Sequence, residues 1–285
     1  MSDFTPSDFT LGDLRRVCEE LWPVGTAEAW DRVGLVSGAD GAPLRRVLLA
    51  VDAVEATVGE ALEWGADALF THHPLLLRGI HTLAEDTAKG ALLARLIRSG
   101  CALYAAHTNA DQPEGGVSAV LAARLGLVGA EAIVPGDGPR PGEVFGIGRV
   151  GELPQPVALR DFAERVAAIL PPTVSGVRVA GDPARSVSRV ALLGGAGDSL
   201  LDHPVVRTAD VYLTSDLRHH SAQESVELSA AAGGPALVDV AHWASESVWL
   251  EGAAQLLGDR LPGVELRVSG LRTDPWTFAV GASAD

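Results

Sequence analysis

Six residues are of types that bind metal ions and stand at suggestive spacings: His72, His73, His107, Asp111, His242 and Glu246. His72 and His73 are adjacent; on an extended backbone their side chains would point to opposite sides and could serve two different ions. His242 and Glu246 are four apart, and at the start of a helix that spacing puts both on one face. His107 and Asp111 are also four apart. Imidazole plus carboxylate, without thiolate, suits Zn, Fe, Mn or Co better than Cu(I) or an iron–sulfur cluster. Two divalent ions facing the carboxylates Asp111 and Glu246 would keep a net charge of about +2, which favours an anionic substrate group. His107 has two readings, a ligand or a neighbour that orients one.

Each signal is weak by itself, because a histidine at a strand end is usually structural and His-x-x-x-Glu is common on helices. Their positions join them. The apolar runs 66–71, 101–106 and 236–240 read as strands, and each runs into one of these histidine segments. In a parallel sheet all carboxyl ends lie along one edge, and ligands bind in the crevice there. The three strand ends are therefore expected to converge.

The elements that must position them alternate. A first helix is expected to start on Thr10 as N-cap, bury Leu11, Leu14, Val17, Cys18 and Leu21, and stop at Pro23. Strands at 46–52, 66–71 and 101–106 alternate with helices at 53–64, 86–99 and 116–125. After a break come strands near 144–150, 174–180, 187–193 and 210–214, with helices near 157–170 and 217–231. Strand 236–240, one helix from His242 to 257, and strands near 264–268 and 276–280 complete the chain. This pattern predicts an α/β fold of two α/β domains with mostly parallel or mixed sheets. Breaker-rich 135–142 and Gly233-Gly234-Pro235 suggest the boundaries. They divide the chain into 1–134, 135–235 and 236–285, with the metal-binding candidates in the first and last stretches.

Aromatic residues make up 5% of the chain, so Ala, Val and Leu must fill most of the core. A net charge of −15 argues against nucleic acid and anionic membranes as partners. No apolar run is long enough to span a bilayer. Two isolated cysteines, Cys18 and Cys101, and an N-terminus without a basic, then apolar, leader predict a cytoplasmic protein. In the middle segment, Gly194-Gly195-Ala196-Gly197-Asp198 reads as a tight turn or an anion cradle. Asp216 reads as a helix N-cap, and His219 or His220 as an acid/base that could reach the cleft.

Trp30-Asp31-Arg32-Val33-Gly34-Leu35, Thr71-His72-His73-Pro74, His107-Thr108-Asn109-Ala110-Asp111 and His242-Trp243-Ala244-Ser245-Glu246 occur in this order. The set resembles the motifs of the Nif-three-like family, also known as GTP cyclohydrolase I type 2 homologues, nearly end to end. Arg32 stands where that family's first motif has Asn. The resemblance implies a dinuclear centre bound by His72, His73, Asp111, His242 and Glu246, an inserted second domain, and toroidal homohexamers. The expected activity is a metal-dependent hydrolase acting on a nucleotide, phosphoester or cyclic amide, with Glu246, His107 and His220 as candidate catalytic groups. The alternative is a non-catalytic metal-binding scaffold or metal-handling protein.

Overall fold

The computed structural model describes residues 9–281. The chain packs as two compact units. One reaches Ala110 and takes in Leu250–Thr273; the other takes in Asp111–Trp249 and residues 274–281. Each unit is thus built from two separate stretches of chain. Among the described residues, no helix is long and apolar enough to cross a membrane.

The first unit is built on five strands: β1 (Gly34–Ser37), β2 (Arg46–Ala50), β3 (Ala68–Thr71), β4 (Ala102–Ala105) and β13 (Glu265–Val268), ordered β1-β4-β3-β2-β13. β13, β2, β3 and β4 run parallel, and β1 is antiparallel at one edge. Every residue of β3 and β4 is buried, as helix crossovers on both faces require. Leu69 and Leu103 point to the face packed with Leu92 and Leu96 of α3 (Ala88–Arg98) and Val58 of α2 (Glu55–Trp64). Phe70 and Tyr104 point to the other face, stacked 5.7 Å apart, with Trp22 5.5 Å from Phe70. Each such side chain contributes roughly 1.5–3 kcal/mol by leaving water. α1 (Leu11–Leu21) begins on the expected Thr10, which exchanges bonds with Asp13 in a capping box. α10 (Leu250–Arg260) supports β13 and β2.

In the second unit, six strands are ordered β5-β8-β10-β11-β12-β9: β5 (Val128–Glu131), β8 (Arg149–Ala158), β9 (Val177–Ala180), β10 (Ser186–Ala196), β11 (Val211–Ser215) and β12 (Ala236–Val240). β10, β11 and β12 are parallel, and the outer pairings are antiparallel. One face packs Leu192, Leu213 and Val238 against α5 (Val117–Leu125) and α6 (Leu159–Ile169). The other packs Tyr212 and Leu237 with Val206 of α7 (Pro204–Arg207) and Ala222 of α8 (His219–Ala232). α4 (Thr108–Asp111) carries the chain from the first unit into the second, and α9 (His242–Ser247) precedes its return.

Four expectations change. The boundaries at 135 and 235 are turns inside the second unit. The first is the loop between β6 (Val134–Pro135) and β7 (Gly146–Ile147), and the second joins α8 to β12. β12 therefore pairs with β11 and β9, so its end belongs to a different sheet edge from those of β3 and β4. The expected helix 242–257 is two helices, because Trp249 is buried between them and its indole N–H donates to the Gly115 carbonyl. Residues 276–280 form no strand; Trp276, Phe278 and Val280 stay exposed instead.

Candidate metal centre

In the first unit, parallel pairing does the positioning. Thr71 of β3 faces Ala50 of β2 and Ala105 of β4, so residues just past these strands cluster at one edge. The His72 and His73 amides continue the ladder to the Ala50 and Val51 carbonyls. The backbone then bends, and the two rings do not diverge as extended geometry would demand. Their centroids lie 5.2 Å apart, and His107 is 5.2 and 5.4 Å from them. One ligand nitrogen from each of the three lies within 4.8 Å of the others, a group that could hold a metal ion.

Each ring is held by its Nδ1. That of His72 donates to the Ala106 carbonyl at 2.9 Å. His73 Nδ1 meets Asp52 Oδ1 at 2.7 Å, and His107 Nδ1 meets Asp31 Oδ1 at 2.9 Å. A carbonyl or ionised carboxylate only accepts, so Nδ1 carries the proton and Nε2 presents its lone pair. That is the arrangement metal-binding histidines use. Asp31 also accepts from the Thr108 amide and hydroxyl. Burial pushes its pKa up, but these bonds from His107 and Thr108 outweigh it and hold the carboxyl below the usual range.

In the second unit, α9 presents His242 and Glu246 as the spacing predicts: His242 Nε2 lies 2.9 Å from Glu246 Oε1. His242 Nδ1 meets Asp216 Oδ2 at 2.8 Å. Asp216 thus touches His242 and does not cap a helix; the residue before α8 is Arg218. His219 and His220 are exposed on the first turn of α8, edge to face with one another. Asp111 ends α4 at the start of this unit.

The glycine segment packs behind this pair. Gly194, Gly195 and Ala196 end β10, so the segment is a strand end and not the expected tight turn. Its amides are engaged within the protein: Gly194 donates to Ser118 Oγ, Gly195 to Ser245 Oγ and Gly197 to the Ser215 carbonyl, and they do not cradle an anion. At Gly195, φ is +78° and an added Cβ would come within 2.5 Å of Glu246 Oε1.

The family model for Duf34/NIF3 (NGG1p interacting factor 3) matches residues 9–275. This chain belongs to the Duf34/NIF3 family. A Streptomyces coelicolor relative named "GTP cyclohydrolase 1 type 2 homolog" is 48% identical over 279 residues, covering 96% of this chain and 95% of its own. A Bacillus cereus protein related to NIF3 superposes with a TM-score of 0.83 at 25% identity, over 98% of this chain and 100% of its own. A Staphylococcus aureus structure gives 0.84 at 26% identity, over 95% and 99%. The Duf34/NIF3 chain described here therefore shares its two-unit α/β fold with solved relatives.

Sequence reasoning missed the carboxylates behind the histidines in this family member. Asp52 lies just past β2, on the strand edge that carries His72, and the same edge argument applied to aspartates would have found it. Asp31 was in the quoted N-terminal motif without a role. Arg32 turns its guanidinium onto the Ala29 and Asp31 carbonyls.

The metal-free protein has a testable pH signature. Burial lowers the pKa of His242, but the Glu246 and Asp216 carboxylates outweigh it and raise it to about 11. A raised pKa means the folded state holds a proton that the unfolded chain releases near its ordinary value of about 6.5. Stability from this group is complete below that pH and declines as pH climbs toward 11. Urea midpoints of metal-free protein should fall between pH 7 and 10, and His242→Asn should flatten the decline.

Proposed function

We propose that this chain is a metal-dependent hydrolase that binds two divalent ions, drawn from Zn, Fe, Mn or Co. His72, His73, Asp111, His242 and Glu246 are the proposed ligands. The observation that carries this reading is the shared tethering of His72, His73 and His242: each Nδ1 rests on an oxygen acceptor, which leaves Nε2 as the ligand atom. Metal ions so held would polarise a scissile centre and lower the pKa of water.

The other groups supply positioning and proton handling. His107, with its Nδ1 fixed by an ionised Asp31, is a dyad suited to accept a proton at Nε2. Glu246 serves both as ligand and as a candidate proton acceptor. The substrate class that fits is a nucleotide, phosphoester or cyclic amide, and the name of the Streptomyces coelicolor relative supports a nucleotide. We further propose a homohexamer, to be checked by light scattering.

Elemental analysis should find close to two metal ions per chain, with His72→Ala and His242→Ala each losing metal; unchanged content would refute the ligand assignment. With Mn, Fe, Zn or Co supplied, a nucleotide and phosphoester screen should reveal turnover that Glu246→Gln abolishes. Metal binding without turnover across the panel would favour the scaffold reading.

A further inference from the structure

We propose that Asp216 is a positioning residue for His242, and that the protein keeps a strained turn at the end of β11 to place it. The assignment rests on the metal-binding reading above.

Asp216 follows the last residue of β11 with φ +56°, and it is the one non-glycine among the described residues with positive φ. L-residues avoid this region because Cβ crowds the following carbonyl oxygen, and aspartate tolerates it better than most. Such strain persists where the surroundings over-determine it. Here they do: Ser215 ends a fully buried strand paired to Val240. The Leu217 amide donates to Asp239 Oδ1 at 3.0 Å. The chain is thus anchored on both sides of the turn.

Burial does not account for the aspartate, since its side chain is 60% exposed. It caps no helix, since the cap position of α8 is Arg218. What the turn achieves is the 2.8 Å bond from the His242 Nδ1 to Asp216 Oδ2. That bond fixes the ring's rotation and keeps Nε2 as the nitrogen directed away from Asp216. A negative partner also makes the ring a stronger electron donor. His73 has the same arrangement through Asp52, but there the backbone is relaxed. Asp216 is the carboxylate for which the chain accepts strain.

The two roles separate experimentally. Asp216→Gly removes the carboxylate and relaxes the backbone; Asp216→Asn keeps an acceptor oxygen and removes the charge. Co2+ is the probe, its affinity measured by chelator competition and its geometry by visible absorption. Asp216→Gly should keep or raise the melting temperature of the metal-free protein while Co2+ affinity falls about 10- to 100-fold and the absorption bands shift. Asp216→Asn should fall between the two. Wild-type affinity and spectrum in both variants would overturn the assignment, as would an affinity loss that only tracks lost thermal stability. His242→Ala separates the two readings. If it abolishes Co2+ binding while the Asp216 variants bind normally, only the positioning role fails. If His242→Ala also binds normally, the metal reading itself is wrong.

Discussion

Gly195→Ala should strip the second unit of its metal-binding capacity although position 195 is itself no ligand. The new Cβ would lie 2.5 Å from Glu246 Oε1 and 3.4 Å from His242 Nε2. A flexible surface carboxylate could step aside, but Glu246 is buried and bound to His242. The end of β10 cannot retreat either. The Gly195 amide donates to Ser245 Oγ at 2.9 Å, and its carbonyl accepts from Thr214 Oγ1 at 3.0 Å. A left-handed backbone adds about 1–2 kcal/mol of strain for any L-side chain. Metal content should drop to one ion per chain or fewer, and the melting temperature by several degrees. Gly59→Ala is the control: it lies inside α2 with nothing within 4 Å of the added methyl, and should leave metal content intact while stabilising by about 0.5–1 kcal/mol. Equal metal content in wild type and Gly195→Ala would show that the end of β10 does not shape the site.

This result would rest on a contact that the sequence does not display. Strand ends were legible because a buried parallel strand is a run of apolar residues that stops where the chain meets solvent, and His72 and His107 stand at such stops. The pairing of His242 with Glu246 was legible because helix geometry fixes it. Sheet membership was not, since the run 236–240 reads the same whichever sheet it joins, and β11 and β9 claimed it. The domain boundaries failed for a related reason: glycine and proline mark a turn with equal force inside a unit and between units. The crossing at Ala110–Asp111 falls inside α4, and Pro113, Gly115 and Gly116 just beyond it read only as the turn before the next helix. Asp216 was open to misreading because an aspartate before a helix is most often a cap, and its left-handed turn becomes visible only in the backbone. The fate of 276–280 turned on pairing, which alternation of apolar residues suggests but cannot secure.

The second large effect concerns Arg149, a residue with no motif around it. It is 1% exposed, at the start of β8, and its guanidinium donates to five carbonyls. Gly146, Gly148, Gln112 and Pro113 accept at 2.7–2.9 Å, and Val144 at 3.3 Å. Burial lowers its pKa to about 10, still well above neutral, so the group stays charged. The five acceptors offset the cost of removing a cation from water, and they belong to two chain segments, 112–113 and 144–148. Arg149 therefore ties the backbone directly after Asp111 to the start of the second sheet. Arg149→Met fills similar volume but leaves these carbonyls without their donor, which should cost about 3–5 kcal/mol. Urea unfolding should show a much lower midpoint with an unchanged slope. Arg149→Lys keeps the charge, but its three donors lack the planar fork, so it should recover only part of the loss. The consequence reaches the proposed centre because Asp111 precedes the clamped segment. In Arg149→Lys, which should still fold, Asp111 loses part of its backbone support, and metal affinity should fall more than thermal stability. If Arg149→Lys binds metal like wild type, the clamp serves the fold alone and Asp111 is placed by α4.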